Sequence, residues 1–252
     1  MRPDQSYLIC ATPRSGSYLL CEALTNSGVA GKPAEYFWRG HEPYWTARWG
    51  THNYREYLHA ALEEASTENG VFGAKIMWEY MSDFREKLES LHGPIRLPDL
   101  LSETFPRLRY VRITRRDKLA QAVSRSKALQ TGRWFDKGDK PPATSPRFDF
   151  RSVEGLLARA REEEAAWDAF FQEADVQPLT IEYEDLVDSY QVTTALVLCY
   201  LGIEPPARIE GARHLRRQAD ATSGEWIELY RALELKGTSG LSPSVDPHPQ
   251  LP

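Results

Sequence analysis

The chain has 252 residues, a formal charge of −5 at pH 7 and 41% hydrophobic residues. These values predict one α/β domain over residues 1–236, followed by a disordered tail rich in Gly, Ser and Pro over 237–252. The negative charge argues against a general nucleic-acid binder. The N-terminal apolar stretch is too short for a signal peptide or a membrane span, so we expect a cytoplasmic protein.

The three cysteines favour the same setting. Cys10, Cys21 and Cys199 lie in apolar runs and are odd in number. We expect reduced, buried thiols rather than a disulfide framework or a metal site.

Short apolar segments alternate with amphipathic ones along the chain. The pattern predicts strands over 7–11, 71–77, 108–114 and 179–183. It predicts helices over 17–26, 53–65, 82–91, 117–130, 152–173, 185–201 and 225–233. This order indicates a parallel sheet with helices on both faces, whose ligands bind at the carboxyl ends of the strands. The Pro-rich segment 136–150 is either a lid or disordered.

The first strand runs into a turn suited to a phosphate-sized anion. The turn reads Thr-Pro-Arg-Ser-Gly-Ser over 12–17, and a predicted helix starts at its end. Helix N-terminal N–H groups, together with Arg14, Ser15 and Ser17, would face such an anion. The alternative is an ordinary Ser-Gly turn. The Gly-x-x-x-x-Gly-Lys-Ser/Thr pattern of Mg-nucleotide enzymes is absent from this turn, so we expect a phosphate that needs no metal.

A second anion site is predicted after the third strand. Arg115 stands at the strand's carboxyl end, and Ser124 follows about two turns along the next helix. The alternative is that Arg115, Arg116 and Lys118 form a solvated charge run. Cations at a helix N-terminus oppose the helix dipole, which favours a binding role.

Five ordered motifs resemble the bacterial trehalose 2-sulfotransferase family. They are Thr-Pro-Arg-Ser-Gly-Ser at 12–17, Gly-Val-Ala-Gly-Lys-Pro-Ala-Glu-Tyr-Phe at 28–37, Phe-Gly-Ala-Lys-Ile-Met-Trp at 72–78, Gln-Ala-Val-Ser at 121–124 and Arg-Gln-Ala-Asp at 217–220. The resemblance implies the sulfotransferase version of the P-loop fold, a homodimer, and the donor 3′-phosphoadenosine 5′-phosphosulfate (PAPS). It also implies a carbohydrate or glycolipid-precursor acceptor, with trehalose as the best single expectation.

The same resemblance assigns residues to the donor. Arg115 and Ser124 would hold the 3′-phosphate, with Arg116 as the alternative arginine, and Arg217 and Gln218 would lie in a late loop that closes over the nucleotide. The residues that would grip the 5′-phosphosulfate are Arg14, Ser15, Gly16 and Ser17.

Sulfuryl transfer needs charge stabilisation on the leaving phosphate and a base near the acceptor hydroxyl. Arg14 suits the first task through preorganised electrostatics, without a metal. Glu35 suits the second, because its position resembles that of the proposed family base. The alternative is that Glu35 is a solvated loop carboxylate, in which case His41 or His52 would be the next candidate bases.

Aromatic residues are abundant where the acceptor is expected, and flat rings suit the apolar faces of sugars. We expect two or three of them to touch substrate, and the substrate-binding prediction comprises Trp38, Trp78 and Lys75, with a surface ammonium as the alternative for the lysine. The wider aromatic set is Trp38, Tyr44, Trp45, Trp49, Trp78 and Trp134.

Two other classes of protein stay open at this stage. A nucleotide kinase would need Mg-ATP, which the missing Gly-Lys-Ser/Thr sequence disfavours. A catalytically silent nucleotide-binding protein would bind PAPS without transferring its sulfuryl group.

Overall fold

The computed structural model describes residues 3–134, 145–209 and 221–238. In this part of the chain, four strands form one parallel sheet in the order β2-β1-β3-β4. The strands are β1 Gln5–Ala11, β2 Val71–Met77, β3 Arg109–Thr114 and β4 Leu179–Glu182. Because β2 and β3 lie on opposite sides of β1, right-handed crossovers place helices on both faces and open a crevice at the carboxyl ends of β1 and β3.

Ten α-helices lie between and after the strands in the described residues. They are α1 Ser17–Asn26, α2 Glu42–Trp49, α3 Tyr54–Glu64, α4 Met81–His92, α5 Leu97–Thr104, α6 Lys118–Thr131, α7 Phe150–Glu173, α8 Tyr183–Asp188, α9 Tyr190–Tyr200 and α10 Ala221–Thr238. One turn of 3₁₀ helix, Trp78–Tyr80, joins β2 to α4. Among the described helices, none is both long and apolar enough to cross a bilayer.

The structure confirms the predicted α/β architecture and corrects several elements. The predicted helix 185–201 is two helices that meet at Ser189, and Tyr183 begins α8 rather than ending β4. Two helices were not predicted: α2 buries none of its residues, and α5 is only eight residues long. The predicted last helix, 225–233, is longer at both ends.

The sheet is covered by a core whose largest buried side chain is Trp167 on α7. The Trp167 indole N–H donates to the carbonyl of Ala11 at 3.0 Å, which fixes α7 against the carboxyl end of β1. Cys10 and Cys21 are buried as predicted, but the prediction for Cys199 was wrong. Cys199 is exposed near the end of α9, because only one side of that helix is buried although the sequence around Cys199 is apolar.

Candidate active site

The loop after β1 turns sharply around Gly16. Gly16 has φ +93° and precedes the first turn of α1. A Cβ at this position would lie 2.3 Å from Cδ2 of Tyr183, so the loop passes directly against that ring. The glycine therefore satisfies both a left-handed backbone and a close approach. Since Gly16 has no side chain to cap the helix, the first N–H groups of α1 face the loop.

Two serine hydroxyls lie inside this loop. Ser15 is fully buried and Ser17 is almost so. Ser15 Oγ has no hydrogen-bond partner among the described residues. A buried hydroxyl without a partner is costly, so Ser15 suits a ligand oxygen at this place. This supports the prediction of an anion site at the N-terminus of α1.

Helix α6 is fastened to the same loop. The buried Gln121 side chain donates through Nε2 to Thr12 Oγ1 and to the carbonyl of Pro13, both at 2.8 Å. One turn further along α6, Ser124 Oγ accepts a hydrogen bond from Arg14 Nε at 2.9 Å. Arg14 also donates to the carbonyl of Trp134. The two predicted anion sites are therefore neighbours, joined by the Arg14 side chain.

The positive charges of this region are concentrated. Arg115 is only 9% exposed, and its guanidinium lies over the Tyr183 ring at 4.8 Å from the centroid. Burial and the positive charge of Arg115 lower the pKa of Arg14 to about 10. An anion bound between them would relieve this repulsion. Arg116 points elsewhere, since it is half exposed and pairs with Glu182 and Asp185.

The segment before α2 runs along the edge of β2. Gly31 has φ +72°, and a Cβ there would lie 2.7 Å from the carbonyl oxygen of Ala65, so only glycine fits. The backbone N–H of Lys75 donates to the carbonyl of Ala34 at 3.0 Å. Phe37 is fully buried and stacks on Phe84 with ring centroids 4.6 Å apart. Glu35 is thereby held between two anchored neighbours.

Glu35 is not a solvated loop carboxylate, because its side chain is only 11% exposed. Its Oε2 accepts a hydrogen bond from the Tyr18 hydroxyl at 2.7 Å. The same oxygen lies 3.3 Å from the Lys75 ammonium. Tyr18 belongs to the first turn of α1, so the carboxylate is tied to the helix that starts at the loop after β1.

Lys75 is not at the surface, and that alternative was wrong. Its side chain is fully buried near the carboxyl end of β2, with the ammonium 3.2 Å from the centre of the Tyr18 ring. Burial lowers the pKa of Lys75, and the negative charge of Glu35 opposes that effect. Burial and the charge of Glu35 both raise the pKa of the Tyr18 hydroxyl, which keeps it a hydrogen-bond donor.

The aromatic residues of the predicted set fall into three groups. Trp78 packs edge-on against Trp167 at 5.0 Å, which places it beside the carboxyl ends of β1 and β2. Trp45 and Trp49 stack on each other at 4.9 Å on α2. The exposed members of the predicted set are Trp38, Tyr44 and Trp134.

A partly buried ion-pair group begins at Arg125, the residue after Ser124 on α6. Arg125 is 6% exposed and contacts Glu79 at 2.7 Å and Glu163 at 3.5 Å. Arg159 joins the group through Glu163 at 2.8 Å. Burial raises the pKa of Glu79 despite the opposing charge of Arg125. The group links α6 and α7 to the turn after β2.

Parts of the prediction fall outside this region. Arg217 and Gln218 lie outside the described residues, as do residues 136–144 of the predicted lid and the tail from 239. Within the described residues, no group of three or more His, Cys, Asp or Glu side chains is placed to hold a metal ion.

Sequence reasoning missed two residues that shape the site. Tyr183 contacts both Gly16 and Arg115, and Tyr18 donates to Glu35. Tyr18 follows the loop directly, so its position beside the anion site was a usable signal. Tyr183 is distant in sequence, and only the pairing of β3 with β4 brings it close.

Comparison with known proteins agrees with this geometry. The model of the Stf0 sulphotransferase family matches residues 6–233. Trehalose 2-sulfotransferase from Mycobacterium tuberculosis is 30% identical, covering 92% of this chain and 96% of the relative. Trehalose 2-sulfotransferase from Mycolicibacterium smegmatis is 29% identical, covering 90% of this chain and 94% of the relative.

Two solved structures are more distant. The sulfotransferase domain of the Synechococcus PCC 7002 olefin synthase has 13% identity and a TM-score of 0.47, covering 96% of each chain. Retinol dehydratase in complex with retinol and PAP has 13% identity and a TM-score of 0.43, covering 99% of this chain and 84% of the other.

The parallel sheet and the loop at the start of α1 define an α/β fold with a crevice at the carboxyl ends of its strands, where ligands bind in proteins of this class. With the match over residues 6–233, the chain belongs to the Stf0 sulphotransferase family, and it is an enzyme that transfers sulfate.

Proposed function

We propose that this enzyme transfers the sulfuryl group of PAPS to a hydroxyl of a carbohydrate, with trehalose as the first acceptor to test. The observation that carries the proposal is the Arg14–Ser124 contact, which joins the loop after β1 to α6 beside Arg115. The names of the two relatives support trehalose as the acceptor. A glycolipid precursor is the next acceptor class.

The positions of the proposed phosphate contacts favour one orientation of PAPS in the site. The 5′-phosphosulfate lies at the N-terminus of α1 against Ser15, Gly16 and Ser17, which supply N–H and hydroxyl donors. The 3′-phosphate lies against Arg115 and Ser124. Arg115 is favoured over Arg116, because Arg116 pairs with carboxylates on the exposed side. Arg217 and Gln218 are proposed to complete the nucleotide site.

The reaction is an in-line displacement at sulfur. The acceptor oxygen forms a bond to sulfur while the bond from sulfur to the phosphate oxygen breaks, and PAP leaves with that electron pair. Arg14 stabilises the charge that develops on the phosphate. Glu35 takes the proton of the acceptor hydroxyl. Trp38, Trp78 and Lys75 stay the proposed contacts for the acceptor side.

The test is sulfate transfer from PAPS to trehalose, followed by mass spectrometry, with wild type and Glu35→Gln. The substitution keeps the side chain's size and removes its basicity, so kcat falls about 10²- to 10⁴-fold while PAP affinity is unchanged. Glu86→Gln, on the exposed face of α4, is the matched control and keeps full activity.

Each other outcome points to a specific error. Transfer to a different glycan but not to trehalose would show that trehalose is the wrong acceptor and that the other glycan takes its place in the proposal. A Glu35→Gln enzyme with normal kcat and weakened acceptor binding would make Glu35 a binding residue and move the search for the base to His41 and His52. PAP binding without transfer to any hydroxyl would contradict the enzyme proposal.

We also propose that the enzyme works as a cytoplasmic homodimer, which the family resemblance supports. Sedimentation velocity of the full chain tests the stoichiometry. A monomer at all concentrations up to that of the assay would contradict it.

A further inference from the structure

Two side chains that neither accept nor donate a proton in the proposed reaction, Tyr18 and Lys75, meet on one oxygen of Glu35. The Tyr18 hydroxyl donates to Oε2 at 2.7 Å, and the Lys75 ammonium lies 3.3 Å from it. We propose that Tyr18 and Lys75 are positioning residues that hold Glu35 through Oε2 and present Oε1 to the acceptor hydroxyl. This inference rests on the proposed role of Glu35 as the base.

The three groups form a closed arrangement. The Lys75 ammonium is 3.2 Å from the centre of the Tyr18 ring, while the hydroxyl of that ring reaches the carboxylate. Each member therefore contacts the other two. A side chain in such an arrangement cannot change rotamer without breaking two contacts, so the carboxylate has one preferred orientation.

Burial of Lys75 argues for an electrostatic purpose. A fully buried ammonium costs free energy unless a counter-charge and other partners stabilise it. An apolar residue would pack more cheaply inside β2. What the ammonium supplies is a fixed positive charge next to Glu35 and a cation–π contact that orients the Tyr18 ring.

The placement links the base to the donor. Tyr18 lies in the first turn of α1, whose N-terminus faces the phosphate-binding loop. Lys75 lies on β2, which pairs directly with β1. Tyr18 and Lys75 therefore fix the carboxylate relative to α1 and to the strand next to β1, the two elements that position the sulfuryl group. A proton leaving the acceptor hydroxyl goes to Oε1, while Oε2 stays hydrogen-bonded throughout.

Other charged or titratable groups also act on this arrangement, and a pH profile must be interpreted with them. Tyr80 and Glu79, in the turn after β2, interact electrostatically with Glu35, and Cys21 on α1 interacts electrostatically with Lys75. Arg14 acts on both Tyr18 and Lys75 from the loop. Because these groups are unchanged in a Tyr18→Phe variant, a difference from wild type reports the hydroxyl alone.

The experiment is the pH dependence of kcat/KM for the acceptor in wild type, Tyr18→Phe and Tyr80→Phe. Tyr18→Phe keeps the ring under Lys75 and removes one hydrogen bond that the ionised carboxylate accepts, so the variant loses a contact that stabilises the charged form. The acid limb of the profile, where activity falls as pH drops, moves up by about one pH unit. At neutral pH, kcat falls about ten- to a hundredfold, PAP affinity is unchanged, and activity partly recovers at higher pH.

Tyr80→Phe is the matched control. Tyr80 is a buried neighbour whose hydroxyl contacts the backbone carbonyl of Lys75 rather than the carboxylate. We expect its acid limb to coincide with that of wild type. A Lys75→Met variant should move the limb in the same direction as Tyr18→Phe, since it removes the neighbouring positive charge.

The inference is overturned if Tyr18→Phe keeps the wild-type limb and kcat, or if Tyr18→Phe and Tyr80→Phe change both equally. Glu35→Gln separates this failure from that of the proposed function. If Glu35→Gln is inactive and Tyr18→Phe shows no shift, only the positioning role fails. If Glu35→Gln keeps its kcat, the base assignment itself fails. Adding Tyr18→Phe to Glu35→Gln should cause no further loss.

Discussion

Replacing Gly16 with alanine should damage both the fold and the donor site. A residue with a Cβ pays about 1–2 kcal/mol for the left-handed conformation. The new Cβ would also lie 2.3 Å from Cδ2 and 3.1 Å from Cγ of Tyr183, well inside van der Waals contact. Overpacking of this kind costs about 1–3 kcal/mol. The sum is about 2–5 kcal/mol, and the Tyr183 ring must move away from Arg115.

Gly28→Ala isolates the first contribution, the cost of the left-handed conformation. Gly28 lies just past the opposite end of α1, has φ +73°, and a Cβ there meets nothing within 4 Å. It should therefore lose only the conformational part, about 1–2 kcal/mol or roughly 2–8 °C in Tm. Calorimetry and isothermal titration with PAP compare the two variants. Gly28→Ala should keep its PAP affinity, whereas Gly16→Ala should lose at least about tenfold. Equal stability losses with intact PAP binding in both would refute the reasoning.

Three further predictions follow from the same structure. Arg115→Ala should weaken PAP binding at least about tenfold in titrations and leave AMP binding nearly unchanged, while Arg116→Ala should change neither affinity. Equal losses of affinity for both nucleotides would remove Arg115 from the 3′-phosphate site. EDTA should leave the transfer rate within about a factor of two, because the loop lacks the lysine-hydroxyl pair that seats magnesium; activity that returns only with magnesium would favour a kinase. Trp167→Phe should lower the free energy of unfolding by about 1–3 kcal/mol in calorimetry, since the carbonyl of Ala11 loses its donor; an unchanged value would contradict that bond.

Local patterns in the sequence were sufficient to predict the boundaries of two central elements, α1 and β2. The structure confirms the predicted boundaries of α1 and β2, because a glycine turn precedes the first and an uninterrupted buried run forms the second. The break at Ser189 was missed, since apolar spacing continues across it. Helix α2 was missed because Trp45 and Trp49 pack half-buried on each other and the helix has no buried apolar stripe.

The site was only partly readable from the sequence. The loop at 12–17 and Arg115 follow strands directly, so strand ends marked them, and helical spacing then pointed to Ser124. The environment of Lys75 was not readable, because its partner Glu35 lies 40 residues earlier and reaches it only along the edge of β2. A lone lysine in a strand pattern gives no sign of whether a carboxylate will meet it.

The Arg14–Ser124 hydrogen bond joins residues 110 positions apart, and this has a kinetic consequence. The strands that precede these residues, β1 and β3, also pair distant positions, such as Tyr7 with Arg109, and long-range contacts of this kind form slowly. A ligand that bridges Arg14 and Ser124 therefore binds at a place where the protein's own contacts form late in folding. We expect PAP to leave the refolding rate nearly unchanged and to slow unfolding instead.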